Sequence, residues 1–256
     1  GFLGHGRSDE FHLAFDFELL LAPWNQRDFT LAIERAEALH PPGTWPTYAF
    51  SNHDNPRHAT RYGPERAALV ALILLTLRGV PVLYQGEEIG MEDGTRLGPR
   101  RFDRAGRDAQ RTPMQWDASP KAGFTDGEPW LPIADAARAN VAAQRDDPAS
   151  LLALYRRLIA LRRESEALGH GEHRSIFGAA PDLLVWLRQA PGETALVAAN
   201  LADEPRRADL TRVARRAEIL LSTLGREGVC DLGSIDIGPL EGMVLRVLPD
   251  APGRAG

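Results

Sequence analysis

The stretch "TWPTYAFSNHDNPRHATRYGPERAALVALILLTLRGVPVLYQG", residues 44–86, decides the fold. Its opening run "TWPTYAFS" is rich in β-formers and ends on the polar cluster Asn52, His53, Asp54, as a buried strand does when it reaches the rim of a sheet. After the sharp turn at Asn55-Pro56, a helix is predicted from Gly63-Pro64 to about Arg78, with proline near its first turn. The core of that helix, "AALVALILLTL", is apolar throughout, so the helix is expected to be buried. "GVPVLYQG" then reads as a second short buried strand. Strand, helix, strand in this order argues for parallel strands joined by a crossover helix.

The same alternation extends upstream. "EFHLAFDFELL" reads as another buried strand. "RDFTLAIERAEALH" follows as a helix, with Phe29, Ile33, Ala36 and Leu39 at helical spacing, closed by Pro41-Pro42-Gly43. Downstream, residues 87–140 form a long irregular segment rich in Gly, Pro, Arg and Asp, and a loop of that length after a strand is usually functional. A helix is predicted from Asp147, as its cap, to about Leu168, with Leu151, Leu154, Leu158 and Leu161 on one stripe. The runs "LLVWLRQ", "TALVAANL", "AEILLST" and "GMVLRVL", separated by turn residues, predict a small antiparallel β domain.

Composition narrows the function classes. The chain has 256 residues, 43% hydrophobic and 25% charged, with a formal net charge of −5. Neither nucleic acid nor an anionic membrane surface is an expected partner, because both reward clustered Lys and Arg, whereas an uncharged sugar is compatible. The longest apolar run is far short of the roughly 20 residues that span a bilayer. The single cysteine, Cys230, excludes an intrachain disulfide framework and fits a reducing compartment, so a cytoplasmic location is expected. The chain opens "GFLGHGRSDEF" without an initiator Met, and its natural start is expected elsewhere.

Strand C-termini of a parallel α/β barrel face one mouth, so Asn52, His53 and Asp54 stand where a substrate would bind. A carboxylate beside an imidazole can bind vicinal sugar hydroxyls, and such bonds strengthen as positive charge develops on the ring. The competing reading is a surface turn whose aspartate caps the chain. A metal held by His53, Asp54 and His58 is disfavoured, because the spacing of the two histidines across a proline lacks a familiar ligand geometry. No cofactor is expected. Glu87 and Glu88 are adjacent and therefore poorly placed to converge as a catalytic pair, so a structural role is expected. Trp116 and Trp130 are open to either sugar stacking or loop anchoring.

Three motifs in order carry a resemblance. "FSNHDNPR" resembles the last short signature region of the α-amylase superfamily, glycoside hydrolase family 13. "GVPVLYQGEEIGM" is similar to the end of that family's eighth barrel strand. "RDAQRTPMQWDASPKAGFTDGEPWLP" is similar to the loop of its α-glucosidase and oligo-1,6-glucosidase branch. The resemblance implies an α/β fold: the C-terminal part, units 6–8, of a (β/α)8 TIM barrel over residues 1–172, then an all-β antiparallel sandwich domain over residues 173–256. It implies that Asp54 is the transition-state stabiliser and that His53 binds hydroxyls of the cleaved sugar. Arg111 would close the bottom of the pocket, with Arg107 as the alternative for that role, and Arg57 would stand at the rim near the leaving-group sugar.

The implied activity is retaining hydrolysis of terminal α-linked glucose from maltose-like or isomaltose-like oligosaccharides. The alternatives are a trehalose- or isomaltulose-forming transglycosylase and a non-catalytic amylase-like partner subunit. Only 51 residues precede Asn52, and they hold neither the family's nucleophile segment nor its acid/base glutamate. The chain is therefore expected to be a fragment, inactive alone.

Overall fold

The computed structural model describes residues 13–40, 43–95 and 102–249. Three extended segments lie side by side and parallel. Phe15 bridges Thr47, and strand β1 (Thr47–Tyr48) pairs with β2 (Val80–Pro81). The predicted strand order is thus observed, although regular pairing is much shorter than the apolar runs, and Phe11 and His12 lie outside the described residues. Gly79 begins β2 with φ +135°, and a Cβ there would meet the Pro46 carbonyl oxygen at 2.4 Å. Glycine is what lets the chain enter this strand so close to its neighbour.

Helix α1 (Glu18–Leu21) leads into α2 (Gln26–Leu39). Asn25 starts α2 by accepting the Asp28 amide at 2.9 Å. The buried stripe is Phe29, Ala32, Ile33 and Ala36; Leu39, expected on it, is exposed in the last turn. After α3 (His58–Tyr62), a 3-10 turn at Pro64–Arg66 precedes α4 (Ala67–Thr76). Proline therefore opens a separate tight turn, and the α-helix itself is only 10 residues long. An isolated helix that short is marginal in water, so burial holds it, at about 1.5–3 kcal/mol per large apolar side chain. Two arginines, half-buried Arg162 and fully buried Arg188, cap its carbonyl end. Arg162 donates to the Leu75, Leu77 and Gly79 carbonyls at 2.8, 2.8 and 2.6 Å, and Arg188 donates to Thr76 at 2.9 Å.

Beyond the long loop, α5 (Val141–Gln144) precedes α6 (Leu151–Glu164) and α7 (Glu166–His170). The single helix expected over 147–168 is therefore two. Ser150 rather than Asp147 caps α6, accepting the Ala153 amide at 3.1 Å. Asp147 instead organises the preceding turn through the Ala149 amide. Ser165 breaks the run with an extended backbone and caps α7, its hydroxyl tied to Glu193 at 2.7 Å.

Strands β3 (Glu172–Ser175), β4 (Leu183–Ala190), β5 (Glu193–Asn200), β6 (Arg206–Ala208), β7 (Arg216–Ser222), β8 (Gly228–Asp231), β9 (Ile235–Ile237) and β10 (Gly242–Val247) follow. Six form an antiparallel sheet in the order β3-β4-β5-β10-β7-β8, and β6 pairs with β9. Alternation divides the sheet into two faces. Leu184, Trp186, Val197 and Val244 pack with α2, α4 and α6. Leu183, Val185, Leu196 and Leu245 pack with β6 and β9 residues such as Ala208 and Ile237. Burial on both faces explains the continuous apolar run "LLVWL". Gly242 lets sheet and helix approach closely, since a Cβ there would lie 2.8 Å from Leu69 and Leu72 methyls.

Candidate functional site

Asn52 builds the loop after β1. Its Oδ1 accepts from the Asp54 amide at 2.9 Å and the Asn55 amide at 2.8 Å, an Asx turn that fixes residues 52–55. Behind it, Arg61 donates to the Phe50 and Pro56 carbonyls at 2.6 and 3.0 Å, and Ser51 Oγ accepts the His58 amide. This bracing leaves the His53 and Asp54 side chains outward, Asp54 44% exposed.

The loop over residues 102–117 supplies the rest. Buried Asp108 accepts from the Phe102 amide at 2.7 Å and the Asp103 amide at 3.1 Å, folding the chain so that Asp103, Arg107 and Arg111 converge. Arg107 donates bidentately to Asp103, Nε to Oδ2 and Nη2 to Oδ1, both at 2.9 Å. Its Nη1 also pairs with Asp54 Oδ1. Arg111 donates from Nη2 to the same Oδ1 at 3.2 Å and from Nε to the His53 carbonyl at 2.8 Å. His53 Nε2 lies 3.5 Å from that oxygen too. Both arginine contacts to Asp54 fall on Oδ1, which leaves Oδ2 free of them. Hydrogen bonds from Arg107 hold the Asp103 carboxyl well below the usual carboxylate range, and the Asp103 bonds raise Arg107 in turn.

Four of the five sequence-designated residues, His53, Asp54, Arg107 and Arg111, thus meet at one point. Arg57 does not stand at a rim. It is 1% exposed, stacked 4.7 Å over the Tyr84 ring, with Nη1 on the Gln85 carbonyl at 2.6 Å. Burial lowers its pKa. Tyr84 and Gln85 follow β2, so Arg57 ties the loop after β1 to the loop after β2. Trp116 and Trp130 are both largely exposed, and Trp130 sits 5.3 Å from the Phe102 ring. His5 lies outside the described residues, like His12; His40 Nδ1 bonds the Ala36 carbonyl. Asp103 escaped the sequence reading, although its four-residue spacing to Arg107 and then to Arg111 was a legible ion-pair signal. Among the described residues no His, Cys, Asp and Glu group could hold a metal, and no helix is long and apolar enough to cross a membrane.

Glu87, in the loop after β2, is buried and accepts from the Tyr155 hydroxyl at 3.0 Å. Burial pushes its carboxyl up to about 7 from 4.5. A carboxyl raised in the folded state favours folding fully below its unfolded value, and that contribution is lost as pH rises through the folded one. Stability should therefore fall by about 3 kcal/mol between about pH 4.5 and 7 through this group. Glu87→Gln keeps the acceptor and should abolish that decline, read as denaturant midpoints on either side of the window. Parallel pH profiles for the two proteins would refute it.

Residues 6–171 match the family described as alpha amylase, catalytic domain. Maltase A1 of Drosophila melanogaster is 31% identical over 88% of this chain and 42% of its own length. A probable alpha-glucosidase of Rhizobium meliloti (strain 1021) is 36% identical over 77% of this chain and 38% of its own length. Among solved structures, a trehalulose synthase from Pseudomonas mesoacidophila MX-45 superposes with a TM-score of 0.84 at 29% identity, covering 94% of this chain and 51% of that one. The chain therefore spans about half the length or less of these relatives. With well over half of its residues matched, the chain belongs to the alpha-amylase catalytic-domain family.

Proposed function

We propose that this chain carries the stabilising half of a retaining α-glucosidase site that removes terminal α-linked glucose from maltose-like or isomaltose-like oligosaccharides. On this reading its parallel segments are units 6–8 of a (β/α)8 barrel, and residues 173–256 are the β domain that follows. The supporting observation is the meeting of Asp54 and Arg111, 57 residues apart in sequence, at 3.2 Å. An exo-acting pocket needs a carboxylate and an end-binding cation around one sugar ring.

In such a pocket Asp54 Oδ2 accepts from vicinal hydroxyls, and the carboxylate stabilises the positive charge that grows on the anomeric centre as the glycosidic bond lengthens. His53 bonds a neighbouring hydroxyl. Arg111, anchored on the His53 carbonyl, holds the far end of the glucose, with Arg107 sharing the load on Asp54. The buried Arg57 fixes the loop rather than touching sugar. The nucleophilic carboxylate and the acid/base would come from a segment outside this chain.

The second reading is a transglycosylase or isomerase, supported by the likeness to a trehalulose synthase. Product analysis of a form extended through the upstream reading frame separates them. Incubated with maltose, isomaltose and sucrose, the extended protein should release free glucose as its main product. A rearranged disaccharide as the main product would favour the isomerase, and no turnover of any sugar would overturn the proposal.

A further inference from the structure

Among the described residues the candidate site holds a closed ring of four charges. Asp54 is paired with Arg107 and Arg111, and Asp103 is paired with Arg107 through two 2.9 Å bonds, with Arg111 Nη1 3.9 Å from its Oδ1. Two carboxylates and two guanidiniums sum to zero. Asp54 alone could neutralise only one of the two cations bearing on it, so the second guanidinium charge is cancelled by Asp103. Resting on the proposed sugar site, we propose that Asp103 is a specificity-determining residue. It brings the net charge of this ring to zero, so that the arginine pair faces an uncharged hexose and rejects a phosphorylated one.

The argument is one of charge and geometry. Two guanidiniums side by side, both aimed at one point, are the arrangement that binds a phosphate dianion bidentately. With Asp103 occupying the fork of Arg107, that arrangement is closed to phosphate. The ring would also lose its value in glucoside cleavage if Asp103 were missing, because an uncompensated cation beside Asp54 opposes the positive charge developing on the sugar. Local folding does not depend on the Asp103 charge alone. The turn is held by Asp108, which accepts the Phe102 and Asp103 amides. An Asn at 103 could still accept the Arg107 amide, now bonded to Asp103 Oδ2 at 2.9 Å.

The test is a titration of the 256-residue chain with inorganic phosphate, following the Nε–Hε resonances of Arg107 and Arg111. Asp103→Asn should bind phosphate about tenfold more tightly than the parent, the size expected for removing one charge several ångströms from a dianion in the water-like dielectric of an exposed, salt-screened site. The double variant Asp103→Asn/Arg107→Gln restores the balance and should return to the parent's affinity, which a merely structural role for Asp103 would not produce. Equal phosphate affinity in all three proteins, no arginine signal moving in any of them, or tight binding persisting in the double variant would each overturn the proposal. In the extended form, Asp103→Asn should raise about tenfold the ratio of kcat/KM for a 6-phosphorylated nitrophenyl α-glucoside to that for the plain glucoside. Absence of glucoside turnover in the extended parent would sink the proposed function instead, and the phosphate titration would still decide the role of Asp103.

Discussion

Asp54→Asn should lower turnover of a chromogenic α-glucoside by about 10²–10³-fold in the proposed extended enzyme, the size typical of removing one preorganised electrostatic stabiliser. The substitution keeps the shape of the side chain and one acceptor oxygen, so substrate hydroxyls can still bind. It removes the negative charge, whose worth is greatest when the sugar is most positive. The loss should therefore fall on kcat, with KM changed far less. The loop should survive, because Asn52 holds residues 52–55 through the Asp54 and Asn55 amides and not through the Asp54 carboxylate. Arg111 also keeps its 2.8 Å bond to the His53 carbonyl. Near-parental kcat in a variant with an unchanged circular-dichroism spectrum would remove Asp54 from the proposed role.

On the proposed function, the chain of 256 residues assayed alone should give no turnover of an α-glucoside, and turnover should appear when an upstream segment is joined to it. Retaining cleavage needs a carboxylate nucleophile and a second carboxyl about 5 Å away to protonate the leaving group. The carboxylate that shares the arginines of Asp54 is Asp103, and its oxygens are taken by Arg107. Glu87 is buried against Tyr155 instead. Stabilising a charge that no residue creates yields no catalysis. Leu13, Phe15, Phe17 and Leu21 are exposed at and beside the first parallel segment, an apolar edge that a further segment could cover. Measurable turnover by the purified 256-residue chain would refute the division of the site between two segments.

Much of this was legible in the residues, for identifiable reasons. The parallel order of three segments followed from alternation of apolar runs with helical periodicity, a local signal that needs no partner to be read. The antiparallel sheet followed from short runs separated by turn residues. Helix boundaries were less legible. Ser150 and Asp147 are both good caps, and only the packing of the turn over residues 147–150 selected the serine. Ser165 could break a helix or ride on its surface, and the bond to Glu193, 28 residues away, made it a break.

The sequence by itself determined the strand–helix–strand order, because periodicity is read along one chain, and its motifs carried the resemblance to the family and, through it, the choice of Asp54, His53 and Arg111 as candidate site residues. Tertiary structure alone decided which cations meet the carboxylate. Arg57 and Arg107 look equally available in sequence, each following a polar loop. Arg57 was drawn inward by the Tyr84 ring and the Gln85 carbonyl, groups that reach it only once β1 and β2 are paired. Arg107 was turned outward because buried Asp108 folds the backbone of its loop and Asp103 grips its guanidinium. A charged side chain goes where its charge is best matched, and in this protein the matching groups come from loops that only the folded chain brings together.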